Sequence, residues 1–155
     1  MNFVIRRARD TDRDAVLALV PRLVTGFTPP PWRKPEAMTP TDLAVISEAL
    51  ASQSDDPVIY VAEREGRIAG FIHLTSLEDY YRRRRHGHIG DIVVAEGEEG
   101  QGIATALMAK AEDWCRAQGY DWLSLSVFEQ NGRAERLYRK LGFQRDVIRL
   151  LKPLD

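Results

Sequence analysis

Apolar residues recur along this chain with two alternating spacings. Phe3-Val4-Ile5 opens as an extended run, and Val16, Leu19, Val20, Leu23 and Val24 then fall at helical intervals, so a strand is expected to lead into a helix. Thr11 to Asp14 supplies an N-cap with an acidic residue three positions on, and Pro21 kinks or shortens the helix. Thr28-Pro29-Pro30-Pro31-Trp32 interrupts regular structure before Thr39-Pro40 restarts a helix, with Leu43, Ile46 and Leu50 as its buried stripe. Val58 to Glu63 and Ile68 to Ser76 read as a hairpin turning at Glu65-Gly66, followed by a central strand from His88 to Val94. Helical spacing returns at Ile103, Ala106, Leu107, Ala111, Trp114 and Cys115. Trp122 to Phe128 alternates as a strand, and Ala134, Leu137, Tyr138 and Leu141 share one face of a last helix, with Asn131 as N-cap and Gly142 as C′ glycine. Phe143 to Lys152 carries a final strand, strongest over Val147 to Leu151, and only Lys152-Pro153-Leu154-Asp155 follow its best part. The expectation is an α/β fold: a mixed, largely antiparallel six-stranded sheet flanked by about four helices.

Composition changes this picture little. The 155 residues suit one domain, 1–155, and 44% hydrophobic with 29% charged residues is ordinary for a folded chain. A formal net charge of −1 removes the global electrostatic case for nucleic acid or a membrane surface. Arg82 to Arg85 form a run that reads as a solvated loop. Beside Tyr80 and Tyr81 the same run would suit a substrate bearing phosphate or carboxylate, and an RNA-binding role would predict steeply salt-dependent binding. Cys115 has no cysteine to pair with and reads as a small core residue. No apolar run approaches the ~20 residues of a membrane span, and Met1 leads straight into a strand pattern, so a soluble cytoplasmic setting is expected. His73, His86 and His88 lack a cysteine or a helical i, i+4 partner set, so no metal is expected.

The chemistry concentrates between Asp91 and Leu107. Asp91-Ile92-Val93-Val94 ends a strand, Gly97, Gly100 and Gly102 permit a tight turn, and a helix begins at once, aiming its unpaired N–H groups into the turn. Such a turn welcomes a phosphate or pyrophosphate. A Rossmann fingerprint fails because Ile103, Ala104 and Thr105 follow Gly100-Gln101-Gly102, and a P-loop fails because no Lys-Ser or Lys-Thr pair exists.

Glu99-Gly100-Gln101-Gly102-Ile103-Ala104 resembles the first signature of the GCN5-related N-acetyltransferases, departing from it at Glu99, where that family prefers a base or an amide. Asn131 to Phe143, with Ala134, Tyr138 and a closing Leu141-Gly142-Phe143, resembles the second signature. The resemblance implies a GNAT fold and acetyl-CoA as cosubstrate. Its pyrophosphate would lie on the N–H groups of Glu99, Gly100, Gln101, Gly102, Ile103, Ala104 and the adjoining Thr105, with Glu98 and Glu99 expected to turn out to water. Asn131 would hold its turn and reach the pantetheine arm.

N-acetylation needs a neutral amine, a polarised thioester carbonyl and a protonated leaving thiolate. On spacing alone Tyr138 is a core aromatic; the resemblance makes it the proton donor. The resemblance likewise gives the carbonyl to a main-chain N–H near Val93 or Val94. Asp91 and His88 are rival bases. They differ in parity, so a regular strand points them to opposite faces unless a bulge intervenes; capture of an already neutral amine, or proton transfer through water, stands beside both. From sequence alone the Pro-Trp segment reads as a stiff connector; the resemblance, in which the region joining the first two helices walls the acceptor site, makes Phe27 and Trp32 candidates for substrate contact. The acceptor would be a primary amine of a small molecule or a protein, a homodimer is left open, and the competing class is a non-catalytic CoA-binding or regulatory domain.

Overall fold

The computed structural model describes residues 2–155. Five strands form one sheet in chain order: β1 Val4–Arg7, β2 Val58–Arg64, β3 Arg67–Glu78, β4 Arg85–Val94 and β5 Leu123–Leu125. The first four are antiparallel, and β5 joins β4 in parallel. The hairpin between β2 and β3 turns where expected, on Glu65 and Gly66, both with positive φ as the right-handed twist of a tight hairpin requires.

Four α-helices flank the sheet: α1 Arg13–Leu19, α2 Pro35–Ala51, α3 Ile103–Ala117 and α4 Gly132–Lys140. Pro21 shortens the first helix as expected, and the chain continues as a 3-10 turn over Val20–Val24. The second helix starts earlier than Thr39. Pro35 takes its first turn, and Pro40 sits one turn inside, where its missing N–H costs only a bond to Glu36. On one face of the sheet Ile72, Leu74 and Ile89 pack against Ile103, Leu107, Ala111 and Trp114 of α3. On the other, Ile59, Val61, Phe71 and Val93 pack against Val16, Val20 and Ile46. Each fully buried side chain of this size contributes about 1.5–3 kcal/mol.

Among the described residues the sheet has five strands, not six. Val147 to Leu151 form no strand, and among the described residues no backbone hydrogen bond joins residues 144–155 to the sheet. A strand is a shared structure that exists only where an edge accepts it. β5 pairs with β4 over just three positions, Gly87 with Leu123, His88 with Ser124 and Ile89 with Leu125. Beyond Ile89 the two segments part, and β5 ends three residues short of the alternation that runs to Phe128.

Candidate active site

The parting of β4 and β5 is set by a bulge. Leu74 pairs with Ile89 and His73 with Asp91, leaving Gly90 as an extra residue in β4. The inserted residue reverses the parity beyond it. Ile89 and Ile92 therefore both pack on the α3 side, and His88 and Asp91 share the α2 side. Gly90 is required for space as well: a Cβ there would stand 2.6 Å from Nδ1 of His73. The buried His73 lies against this glycine and holds Asp91, Nδ1 to Oδ2, at 3.0 Å.

His88 Nδ1 and His86 Nε2 converge on the Ser124 hydroxyl at 2.8 and 2.9 Å. Burial, followed by the neighbouring His86 and His73, pushes the His88 imidazole below its ordinary pKa. From α2, half-buried Asp42 faces the same cluster, and its carboxyl is pushed up to about 6, first by burial and then by the charge of Asp91. Sequence reasoning missed both Asp42 and His73 as site residues. A signal existed for Asp42: it precedes Ile46 by four positions and Ala49 by seven, a carboxylate on the buried stripe of its helix.

The main chain of β4 divides cleanly. The N–H of Ala95 donates to the carbonyl of Ala69 at 2.8 Å, so by alternation Val93 also turns its N–H and C=O toward β3. Its carbonyl oxygen would lie 2.6 Å from a Cβ added at Gly70. Ile92 and Val94 therefore present their main-chain groups to the gap, and the Val94 carbonyl accepts from Arg22 Nε at 2.8 Å. Of the two positions expected to polarise a carbonyl, Val94 faces the opening and Val93 does not.

Next comes the glycine turn. Gly97, Gly100 and Gly102 all have positive φ, and Gly102 is the N-cap of α3. No acceptor within the described residues meets the N–H groups of Gly100, Gln101, Gly102, Ile103, Ala104 and Thr105; the first helical bond is from Ala106 to Gly102, at 3.0 Å. Six consecutive free donors at a helix N-terminus match a pyrophosphate.

The carboxylates of Glu98 and Glu99 are not simply turned out to water. Glu98 is only 18% exposed at its side chain and pairs with Arg64 at 3.1 Å; Glu99 pairs with Arg22 at 2.9 Å. Hydrogen bonds from its own N–H and that of Gly97, with the Arg22 charge, hold the Glu99 carboxyl below its ordinary pKa. Both negative charges are thus engaged by arginines from other elements before any phosphate arrives.

Helix α4 is closed at both ends as its sequence predicts. Asn131 Oδ1 accepts from the N–H of Ala134 at 3.4 Å. At the other end the N–H of Gly142 donates to Arg139 at 3.1 Å and that of Phe143 to Tyr138 at 3.0 Å, a Schellman closure. Tyr138 meets Phe143 edge to face at 6.2 Å and packs, like Ile92 and Val94, against the margin of the core beneath α3. Burial raises its phenol pKa.

Phe27 stacks on Phe128 at 5.5 Å, with the Arg33 guanidinium 5.7 Å from the same ring, so this loop closes against the chain that leaves β5. Trp32 is about half exposed, and nothing ties it to the cluster. Tyr80 and Tyr81 pack on each other, largely exposed, in the turn from β3 to β4. Glu78 pairs with Arg85 at that end of the ladder, six residues from Asp91, or about 20 Å, so the two tyrosines stand at the far end of β4 from Asp91. The arginine run is occupied internally. Arg82 grips Asp121 through two 3.0 Å bonds and lies 3.3 Å over the Trp122 ring, Arg85 binds Ser76, and Arg83 and Arg84 approach Glu78 and Asp121 at 3.8 Å.

Comparison with known proteins gives a family and a fold. The model of the acetyltransferase (GNAT) family matches residues 24–143. An uncharacterised N-acetyltransferase of Mycobacterium tuberculosis is 30% identical over 140 residues, 86% of this chain and 84% of that one. The aminoalkylphosphonate N-acetyltransferase of Salmonella typhimurium is 26% identical over 152 residues, 97% of this chain and 90% of that one. Among solved structures, an aminoglycoside N-acetyltransferase, AAC(6')-Iy in complex with CoA, shares the fold with a TM-score of 0.77 at 19% identity, covering 98% of this chain and 94% of that chain.

Proposed function

Because this chain belongs to the acetyltransferase (GNAT) family, we propose that it moves an acetyl group from acetyl-CoA to a primary amine of a small molecule or protein, by direct transfer with both substrates bound. The observation that carries this reading is the row of six unpaired N–H groups from Gly100 to Thr105, opening α3 beside the parted edge of β4. Acetyl-CoA supplies an activated acyl group there. The donors of the glycine turn hold its pyrophosphate, with Arg22 and Arg64 offsetting Glu98 and Glu99. A complex of AAC(6')-Iy with a bisubstrate CoA analogue, at 21% identity, supports a cosubstrate on this fold.

The remaining roles belong to side chains on either side of the gap. The N–H of Val94 polarises the acyl carbonyl oxygen. Tyr138, kept protonated by burial, donates its phenolic proton to the departing thiolate. On the α2 side Asp91, braced by His73, attracts the incoming ammonium and accepts its proton, while Asp42 and the uncharged His88 line the same approach. Phe27 on Phe128 walls the acceptor side. A purely CoA-binding domain would have no use for Tyr138 and the Asp91 cluster together.

Calorimetric titration with acetyl-CoA, comparing the wild type with Gly102→Glu, tests the cradle. A Cβ at Gly102 meets no protein atom within 4 Å, but the φ of +83° strains any side chain there, so the circular dichroism of the variant is compared with the wild type, and a folded variant places a carboxylate among the donors. Saturable binding lost in the variant, followed by amine-dependent release of CoA thiol, is the expected result. Absence of binding to the folded wild type at millimolar ligand would overturn the reading.

A further inference from the structure

Arg22, Arg64 and Arg82 are each paired with a carboxylate. Arg33 is not: among the described residues no carboxylate pairs with it, Glu36 of the following helical turn included, and its Nε is buried without a partner. The backbone that carries it is stiff. Pro29-Pro30-Pro31 restricts the loop between α1 and α2, Pro30 is buried, and the N–H of Arg33 closes a turn on the Pro30 carbonyl at 2.9 Å. The half-buried guanidinium lies 5.7 Å from the centre of the Phe128 ring, on which Phe27 also stacks. A contact of that kind uses none of the guanidinium N–H donors. Nor does the fold gain from the charge. Arg33 and Lys34 immediately precede α2, where the helix dipole disfavours a cation.

We propose that Arg33 selects the acceptor, its guanidinium fork taking the carboxylate or phosphate at the far end of a small primary amine whose ammonium meets Asp91. This rests on the acyl-transfer reading of the site and narrows its substrate to amines that also carry an anion. Phe128 stands three residues past Leu125, the end of β5, on the chain that has parted from β4. Arg33 therefore reaches the same opening as the acceptor wall of Phe27. That wall carries opposite charges at its two ends. Asp91, with Asp42 facing it from α2, makes the negative end and Arg33 the positive one. Asp42 lies seven residues into α2 from Pro35, about 10 Å along the helix, so the two groups recognised are several bonds apart. A planar fork binds carboxylate or phosphate through two parallel hydrogen bonds. A simple alkylamine would leave Arg33 without a partner, and a diamine would set a second ammonium against it.

The test compares amines that differ only at the far end. Using CoA thiol release, ω-amino carboxylates of about three to six carbons and ω-aminoalkyl phosphates are measured against n-alkylamines and α,ω-diamines of the same lengths. The wild type is expected to prefer one of the two anionic series. Arg33→Met is expected to lower the kcat/KM ratio of that series over the alkylamines on the order of 10–100-fold, chiefly through KM, with acetyl-CoA affinity by calorimetry unchanged. Arg33→Lys, which keeps the charge and loses the fork, is expected to fall between the two. A wild type without that preference, or a preference kept by both variants, overturns the proposal. So does a matching loss of acetyl-CoA affinity, which would give Arg33 to a phosphate of the cosubstrate. Should no amine be acetylated, the acyl-transfer reading fails, and calorimetry with the anionic amines decides the anion site by itself. Binding weakened in the folded variants supports it; equal binding, or none, overturns it.

Discussion

Arg22 reaches Glu99 across 77 residues of sequence, bonding its carboxylate at 2.9 Å while its Nε holds the Val94 carbonyl at 2.8 Å. The position at which related enzymes carry a base or an amide is acidic here, and the cation comes instead from the 3-10 turn after α1. One guanidinium thereby joins the end of β4 to the start of the glycine turn. Arg22→Ala is expected to leave Glu99 unopposed and to weaken acetyl-CoA binding about tenfold, the equivalent of about 1.4 kcal/mol. Glu99→Gln in the same background is expected to restore most of the loss. Calorimetry on the three proteins checks this, and equal affinities would remove Arg22 from the cofactor site.

Tyr138→Phe keeps the ring that packs on Phe143 and removes only the hydroxyl. Loss of a general acid is worth about 10²–10⁴ in rate. The variant is expected to lose that factor in kcat with acetyl-CoA affinity unchanged. A loss below roughly tenfold would make Tyr138 a packing residue.

Gly90→Ala probes the bulge. The added methyl would lie 2.6 Å from His73 Nδ1 and displace the imidazole from Asp91. We expect stability to fall by about 1–3 kcal/mol, as for other overpacked sites, and kcat/KM for the amine to fall while acetyl-CoA binding is retained. Unchanged amine kinetics in a destabilised protein would show that the His73–Asp91 contact serves the fold alone.

Asp42 gives a pH dependence of defined sign. Its folded pKa of about 6 lies above the ordinary 3.8, so the folded state binds the proton more tightly and charging Asp42 opposes folding. Its contribution is absent below the ordinary value, grows unfavourable between about pH 4 and pH 6, and is constant above that. Thermal melting of Asp42→Asn is expected to match the wild type at pH 3.5 and to exceed it at pH 8. A wild type that is the more stable protein at pH 8 would contradict the burial of a charge there.

Much of the fold was legible because its cues are local. The I′-type turn at Glu65-Gly66, the proline that shortens α1, and the Asn131 and Gly142 closures of α4 each rest on contacts within a few residues. The start of α2 was misread because Pro35 and Pro40 both suit a first turn, and the last strand because its pattern does not reveal whether an edge is offered. Parity placed His88 and Asp91 on opposite faces of a regular strand, and the extra residue at Gly90 brought them together. Sequence alone had no way to join Arg22 to Glu99 or Arg64 to Glu98, since those pairs are set by where distant elements land.

The sequence by itself therefore determined the strand, glycine turn and helix from Asp91 to Leu107 and the capped helix that carries Tyr138, because helical period, φ > 0 at glycine and end-capping act between near neighbours. Only the tertiary structure decided which main-chain groups of β4 face the gap, that His73 and Asp42 attend Asp91, and that Val147 to Leu151 form no strand within this chain. Those outcomes depend on ladder register and on the availability of an edge, which long-range pairing alone establishes.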